Sequence, residues 1–502
     1  MKEYDLIVIG SGPAGQRAAI QAAKLGKRVA VVEKDREVGG VCLNTGTIPS
    51  KTMREAVLDL SGFRQRSLYG ESFRAKEKIT AQDLLGRCEV VRQKEREVVK
   101  AQLWRNGVTM HEGSARITGP HDILVDDGIA PMPLTAANLI IAVGTTPGVP
   151  RGIECDHQTI LTSDDILQLK TLPKSMIIVG AGVIGTEYAT MFATIGVRVT
   201  LMDKRTELLD MVDREMANAL MYHARSLRVT FRLGEEVESV RLPQPQALQL
   251  VDGTAASSVP HTPVVTMKSG KQLAADIVMV SAGRVGATEG LGLENAGLTC
   301  DDRGRISVNE HYQTSVPHIY AVGDVIGYPS LASTGMEQGR IAVCHAYGVE
   351  AKSMPSLFPF GIYAVPELAW VGATEEELTA KSVPFETGIG RYKETARGQI
   401  LGDHDGMLKL IFHLETRHIL GVWVLGTHAA ELVHIGQAAM ALGGTLDFLV
   451  NNVFNYPTLA ECYKVAALDG INKLRSLSHN TDQAVLESSE SQGEDRTQER
   501  AA

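Results

Sequence analysis

No two of the six cysteines, Cys42, Cys88, Cys155, Cys300, Cys344 and Cys462, stand in CxxC spacing. That scatter argues against both a disulfide framework and a structural zinc site, and no metal is expected. Five of the six read as small buried hydrophobes. No apolar run approaches the roughly 18 residues that a spanning helix needs. The opening MKEYDLIVIG has no charged region followed by an apolar stretch and a cleavage site. A cytoplasmic chain without a membrane partner is expected. Positive charge is also scarce: 50 Lys and Arg against 59 Asp and Glu give a formal net charge of -9. Such a field repels nucleic acid and anionic membranes, which leaves small molecules and proteins as partners.

What is present in a chain of 502 residues is room for two to four domains of ordinary globular composition, 44% hydrophobic and 22% charged. One pattern occurs twice. YDLIVIGSGPAGQRAAIQAAKLGKRVAVVE reads as a strand, a turn with Gly10, Gly12 and Gly15, an alanine-rich helix and a second strand ending in Glu33. SMIIVGAGVIGTEYATMFATIGVRVTLMD repeats it with Gly180, Gly182, Gly185 and Asp203. The acid follows the first glycine by 23 positions in both copies (33 − 10 and 203 − 180).

A lone GxGxxG is weak, because two βαβ units can need glycine for close packing alone. The matched acids favour a ligand. In that reading the first glycine makes the tight turn, the second admits a pyrophosphate to the backbone, and the third lets helix and strand approach. The phosphates rest on N–H groups at the helix N-terminus, and the acid accepts from an adenosine ribose. Two dinucleotides are expected, most simply a flavin and a nicotinamide.

Between and after the copies lie three further signals. AVGTTP, Ala142 to Pro147, follows the strand NLIIAVG and reads as a return between the two nucleotide domains. HIYAVGDV sets Asp324 just past a buried strand, placed to accept from a ribitol hydroxyl or simply to cap a loop. Thr334 and Glu337 read as a capping box that opens a helix. The N-terminus of that helix, aimed at the flavin, would favour the charge that a hydride brings.

With GGVCLNTGTIPSK (Gly39 to Lys51), SAGR (Ser281 to Arg284) and VPELAWVGATEEE added in their order, the chain resembles the pyridine-nucleotide disulfide oxidoreductase family from about residue 4 to 475. The resemblance implies an α/β fold with two nested Rossmann-like dinucleotide-binding domains plus a C-terminal α+β dimerisation domain. The FAD domain would be 1–150 with 285–345, the NAD(P) domain 151–284 and the dimerisation domain 346–475. The polar stretch 476–502 reads as a disordered tail. A homodimer or higher homo-oligomer is implied.

Two departures bear on chemistry. Disulfide-reducing members carry a second cysteine where this chain has Thr47, and threonine cannot resolve a mixed disulfide. They also carry a histidine where FNYPTLAE has Tyr456, although Glu461 remains. Cys42 thus lacks both a thiol partner and an acid-base partner. Within the family, the branch of soluble, Si-specific pyridine nucleotide transhydrogenases shares this pair of losses. It also shares the stretch GTHAAELVHIGQA, read here as a buried helix with satisfied histidines His428 and His434.

Resemblance to that branch implies hydride transfer between NADPH and NAD+ through FAD by a ping-pong cycle, with no redox disulfide. Lys51 would lie near flavin N5 with Glu187 as its ion-pair partner, and these two are the expected catalytic residues. Cys42, Thr47, Gly113, Thr145, Gly283, Arg284 and Asp324 join the glycines and Glu33 as expected cofactor contacts. Asp203 alone would repel the 2′-phosphate of NADP, while Lys204 and Arg205 would attract it. An NAD(P)H oxidase or quinone reductase remains open, as does a non-catalytic flavoprotein scaffold or redox sensor. If no sulfur intermediate exists, Cys42→Ser keeps most of the transhydrogenase rate; a drop to background in that assay would make the cysteine chemical.

Overall fold

YDLIVIG forms the end of the strand Lys2–Ile9, whose last four residues are all buried, as expected for a parallel strand covered on both faces. The computed structural model describes residues 2–70, 72–242, 262–352 and 354–476. These fall into two compact units: residues 2–61, 76–207 and 228–356 in the first, and 62–75, 208–227 and 357–476 in the second. The polar stretch from 477 onward, expected to be disordered, lies outside the described residues.

The first unit holds two parallel sheets. One runs in the order Thr109–Glu112, Val29–Glu33, Lys2–Ile9, Met132–Ile141, followed by the antiparallel Asp122–Asp126 and Ser114–Ile117. Ile319–Ala321 adds a further parallel strand beside Met132–Ile141. The other runs Thr230–Leu233, Arg198–Asp203, Ser175–Val179, Ile277–Val280, Ile160–Thr162, parallel throughout. Each contains a strand, a glycine turn and a helix in succession, the helix being Pro13–Lys24 in one and Val183–Thr194 in the other. The chain crosses between the sheets twice, and the two crossings meet: Thr145–Pro147 pairs antiparallel with Arg284–Gly286.

Helix Pro13–Lys24 buries Ala14, Ala18, Ala19 and Ala22, small side chains that let a second helix, Ala332–Ala346, come close. A Cβ on Gly339 of that second helix would stand 2.3 Å from the Ala14 carbonyl oxygen, so only glycine fits there. The expected capping box is corrected. The helix starts at Ala332 with Leu331 as its N-cap, and Thr334 lies one turn inside, donating back to the Leu331 carbonyl at 3.0 Å. Glu337 pairs with Arg340 instead. The Thr-x-x-Glu spacing serves either use, because i−3 back-bonding and an i,i+3 ion pair need the same residues.

The second unit is an antiparallel sheet in the order Phe360–Ile362, Leu368–Gly372, Ile419–Leu425, Met407–His413, Phe385–Arg391. Trp370 and Trp423 stack on it with ring centroids 5.2 Å apart. The fully buried Lys409 reaches Asp213 at 2.8 Å, Glu215 at 3.0 Å and Glu375. Asp213 is also the N-cap of helix Arg214–Ser226. This buried charge group ties 208–227 to the second unit, a connection that contiguous boundaries do not anticipate.

Helix Ala429–Ala441 buries Ala429, Leu432, Val433, Gly436 and Ala439, but His428 and His434 are exposed, contrary to expectation. His428 sits outside the helix as a left-handed N-cap, and His434 lies on its outer face, where it meets Gln437. The cysteines also divide: Cys88, Cys344 and Cys462 are buried, Cys155 is half-buried and Cys300 is exposed. Cys300 directly precedes the surface turn that Asp301 builds with Arg303 and Arg305, so no apolar layer covers it.

Candidate active site

The two glycine turns show which glycines the chain itself requires. Gly10 and Gly180 have φ of +104° and +107°, and a Cβ on either would stand 2.4 Å from a carbonyl oxygen, that of Ala142 or Ser281. A Cβ on Gly15 would lie 2.0 Å from the Gly10 oxygen, and on Gly185 it would lie 1.9 Å from the Gly180 oxygen. The second glycines differ. Nothing lies within 4 Å of a Cβ on Gly12, and on Gly182 only the Arg205 Nη2 comes near, at 3.9 Å. The protein does not need glycine at these two points, but a ligand approaching the backbone does.

Both helices start at those open glycines with no side-chain cap and no acid in the first turn. Their first N–H groups therefore face outward in the arrangement that receives an anion. The acids close the turns in the same way. Glu33 Oε2 accepts from the Ser11 amide at 2.8 Å and Ser11 hydroxyl at 2.6 Å. Asp203 Oδ2 accepts from the Ala181 amide at 2.7 Å. The residues present thus fit two dinucleotides.

The copies differ at the acid. Glu33 is buried and has no cationic partner among the described residues. Asp203 carries the Arg205 guanidinium across it, Nε to Oδ1 at 3.1 Å and Nη2 to Oδ2 at 2.9 Å. Against the upward push of burial, Arg205 and the amides of Arg205 and Ala181 hold the Asp203 carboxyl below its ordinary value. Lys204 is exposed beside it.

Lys51 lies in the first turns of helix Thr47–Ser61 and reaches Glu187 with Nζ at 2.9 and 2.8 Å from its two carboxylate oxygens. Glu187 is buried on helix Val183–Thr194, 136 residues away in sequence. Cys42 lies on the short helix Gly40–Asn44. Burial pushes its thiol up; a hydrogen bond with Thr47 and the charge of Lys51 pull it down, and Asp324 adds to the upward push. The net rise keeps the sulfur protonated, the opposite of what a nucleophilic cysteine requires. Asp324 is itself pushed up by burial, with Arg284 and Thr145 opposing. Cys42, Thr47, Lys51, Glu187, Thr145, Arg284 and Asp324 therefore form one neighbourhood.

Thr45 and Thr186 each have a buried hydroxyl with no partner among the described residues, at the turn before Thr47 and the position before Glu187. Such atoms suit a polar ligand. Gly113 lies beside Glu33: its amide donates to the Glu33 carbonyl at 2.8 Å, and a Cβ there would lie 2.7 Å from the Asp126 oxygen. Gly283, at φ +105°, faces open space while its carbonyl accepts from the Gly148 amide. Tyr456 is exposed, and the Glu461 carboxylate accepts from the Thr458 amide. Asp164, which pairs with Arg284 at 3.0 Å, was not foreseen. Its only signal in sequence is the neighbouring Thr162-to-Asp165 capping box.

Residues 4–339 match the family described as pyridine nucleotide-disulphide oxidoreductase, and residues 358–467 match the dimerisation domain of the same enzymes. The chain belongs to the pyridine nucleotide-disulphide oxidoreductase family. It is 54% identical over 479 residues to a soluble pyridine nucleotide transhydrogenase of Mycobacterium tuberculosis, covering 95% of this chain and 99% of that one. The soluble pyridine nucleotide transhydrogenase of Pectobacterium atrosepticum is 44% identical over 477 residues, 94% and 98% of the two chains. Among solved structures, LpdA from Mycobacterium tuberculosis superposes with a TM-score of 0.82 at 25% identity, over 93% of this chain and 99% of that one. The HOCl-induced flavoprotein disulfide reductase RclA from Escherichia coli gives 0.81 at 26% over the same shares.

Membership brings a flavin, a nicotinamide nucleotide and, through the dimerisation domain, a homo-oligomer. No helix among the described residues is long and apolar enough to cross a membrane. The glycine geometry separates ligand from fold. Gly12→Ala is expected to leave the melting temperature within about 2 °C while lowering flavin content, whereas Gly15→Ala, placed against a carbonyl, prevents folding. Thermal melts and flavin absorbance of the purified variants check both.

Proposed function

We propose that this chain is an FAD-dependent NAD(P)+ transhydrogenase, moving hydride between NADPH and NAD+ in the cytoplasm as a homodimer or larger homo-oligomer. The observation that carries this reading is Thr47 hydrogen-bonded to a thiol that its surroundings keep protonated. A disulfide route has no second sulfur at this point. The names of the relatives agree with it.

In this reading the first sheet, with 285–345, is the FAD domain, 151–284 is the NAD(P) domain, and 346–475 carries the dimer contact. Gly10, Gly12, Gly15 and Glu33 hold the adenosine diphosphate of FAD, because an acid without a cation rejects a 2′-phosphate and welcomes a 2′-hydroxyl. Gly180, Gly182, Gly185 and Asp203 hold the nicotinamide coenzyme. Asp203 is already neutralised by Arg205, so the pocket tolerates NAD, and Arg205 with Lys204 can turn to the phosphate of NADP.

When bound, the flavin supplies a hydride acceptor and donor shared by successive coenzymes. Lys51 contributes a fixed positive charge beside it, and buried Glu187 orients that ammonium with two hydrogen bonds. Asp324 accepts from the ribitol, and Thr145 hydrogen-bonds to Asp324. Cys42 and Thr47 form an uncharged edge.

Two measurements test this. NADPH added without oxygen bleaches the yellow protein, and NAD+ then restores the colour with no dithiol present. Restoration by air or a quinone but not by NAD+ would replace the transhydrogenase reading with an oxidase or quinone reductase. For coenzyme choice, Arg205→Ala raises the KM for NADP(H) by about tenfold and that for NAD(H) much less, the loss of one charge-assisted contact. Equal changes would show that another residue reads the phosphate.

A further inference from the structure

Arg284 directs four N–H contacts inward to protein atoms. Nε donates to Thr145 Oγ1 at 2.9 Å and Nη2 to the Thr145 carbonyl at 2.9 Å. Nη1 donates to Asp164 Oδ1 at 3.0 Å, and Nη2 approaches Oδ2 at 3.4 Å. A guanidinium has five such hydrogens in a rigid fork, so little remains for a coenzyme.

The partners belong to different parts of the first unit. Thr145 begins the crossing that leaves the first sheet, and Arg284 begins the crossing that returns to it. Asp164 lies in the turn Ser163–Gln168, directly after the edge strand Ile160–Thr162 of the second sheet. That turn is held by Asp165, which accepts from the Thr162 amide at 2.8 Å and its hydroxyl at 2.7 Å. The fork thus ties the paired crossings to the edge of the second sheet. Lys51 and Glu187 make a separate tie between helices belonging to the two sheets. One tie leaves a pivot, whereas two at different places fix an angle.

We propose that the Asp164–Arg284 pair is a clamp that sets the angle between the two nucleotide sheets, and that Asp164 is a positioning residue for hydride transfer. The proposal rests on the flavin and nicotinamide lying on the first and second sheets. The adenosine half of the nicotinamide coenzyme is held within the second sheet alone, so the clamp governs where its ring arrives and not how tightly the coenzyme binds. Hydride transfer depends steeply on that placement, since a misplacement of about 1 Å costs up to a hundredfold.

The experiment uses the full-length, FAD-loaded protein. In rapid mixing under argon, Asp164→Asn slows flavin bleaching by saturating NADPH about tenfold, while flavin content and NADPH half-saturation stay within about twofold. Arg284→Lys does the same, because lysine keeps the charge and loses the fork. Asp164→Glu recovers most of the rate. Independently of activity, hydrogen exchange of the loaded Asn variant rises at Thr145–Pro147 and Arg284–Gly286. Unchanged rate and exchange in both the Asn and Lys variants overturn the clamp. So does loss of flavin in proportion to rate, which would make Arg284 a direct flavin contact. Should the Asn variant fail to fold, the Lys variant decides. Bleaching needs only one nicotinamide, so a chain that passed its electrons to oxygen instead of NAD+ would still report on the clamp.

Discussion

The contact on which both nucleotide turns depend is a backbone approach that leaves no room for a side chain. The third glycine of each copy lies so near the carbonyl of the first that a Cβ would stand about 2 Å away, at 2.0 Å for Gly15 and 1.9 Å for Gly185. That closeness draws the helix start against the strand end. The first N–H groups of the helix then point outward over an open second glycine, and the amide after the first glycine reaches the acid that ends the next strand. An outward-facing set of N–H groups and an acid that closes the turn follow from one steric requirement.

Around these turns, burial outweighs the nearby charge and keeps the Cys42 thiol above its ordinary value. Lys51 pairs with a buried glutamate, and its charge only partly offsets the burial that holds the Cys42 thiol up. A thiolate would need the reverse arrangement, with a cation close and solvent near. RclA, named a flavoprotein disulfide reductase, and this chain superpose with a TM-score of 0.81. The difference in chemistry therefore lies in a few side chains and not in the scaffold.

The second unit depends on a different interaction. Lys409 is fully buried with three carboxylates about it, one of them the cap of helix Arg214–Ser226. An unpaired ammonium at such a depth would be costly, so the acids and the lysine stand or fall together. Through this group the segment 208–227 is anchored to the antiparallel sheet.

Much of the molecule was legible from the residues alone, because the legible parts are local. Glycine spacing, β-branched strands and an acid at fixed distance each act within about 25 residues, and the missing second cysteine is a plain absence. Even so, local patterns misled where they had two uses, as with Thr334 and Glu337 inside helix Ala332–Ala346, or with the exposed His428 that caps helix Ala429–Ala441 and His434 on the outer face of that helix. Tertiary structure alone decided what joins distant chain. Asp164 meets Arg284 across 120 positions and Lys409 meets Asp213 across 196, whereas the Lys51–Glu187 pair, across 136, was implied by the family resemblance and not by any local pattern. No periodicity encodes such pairs, since they form only when separately folded layers come together and leave buried charges that must find each other.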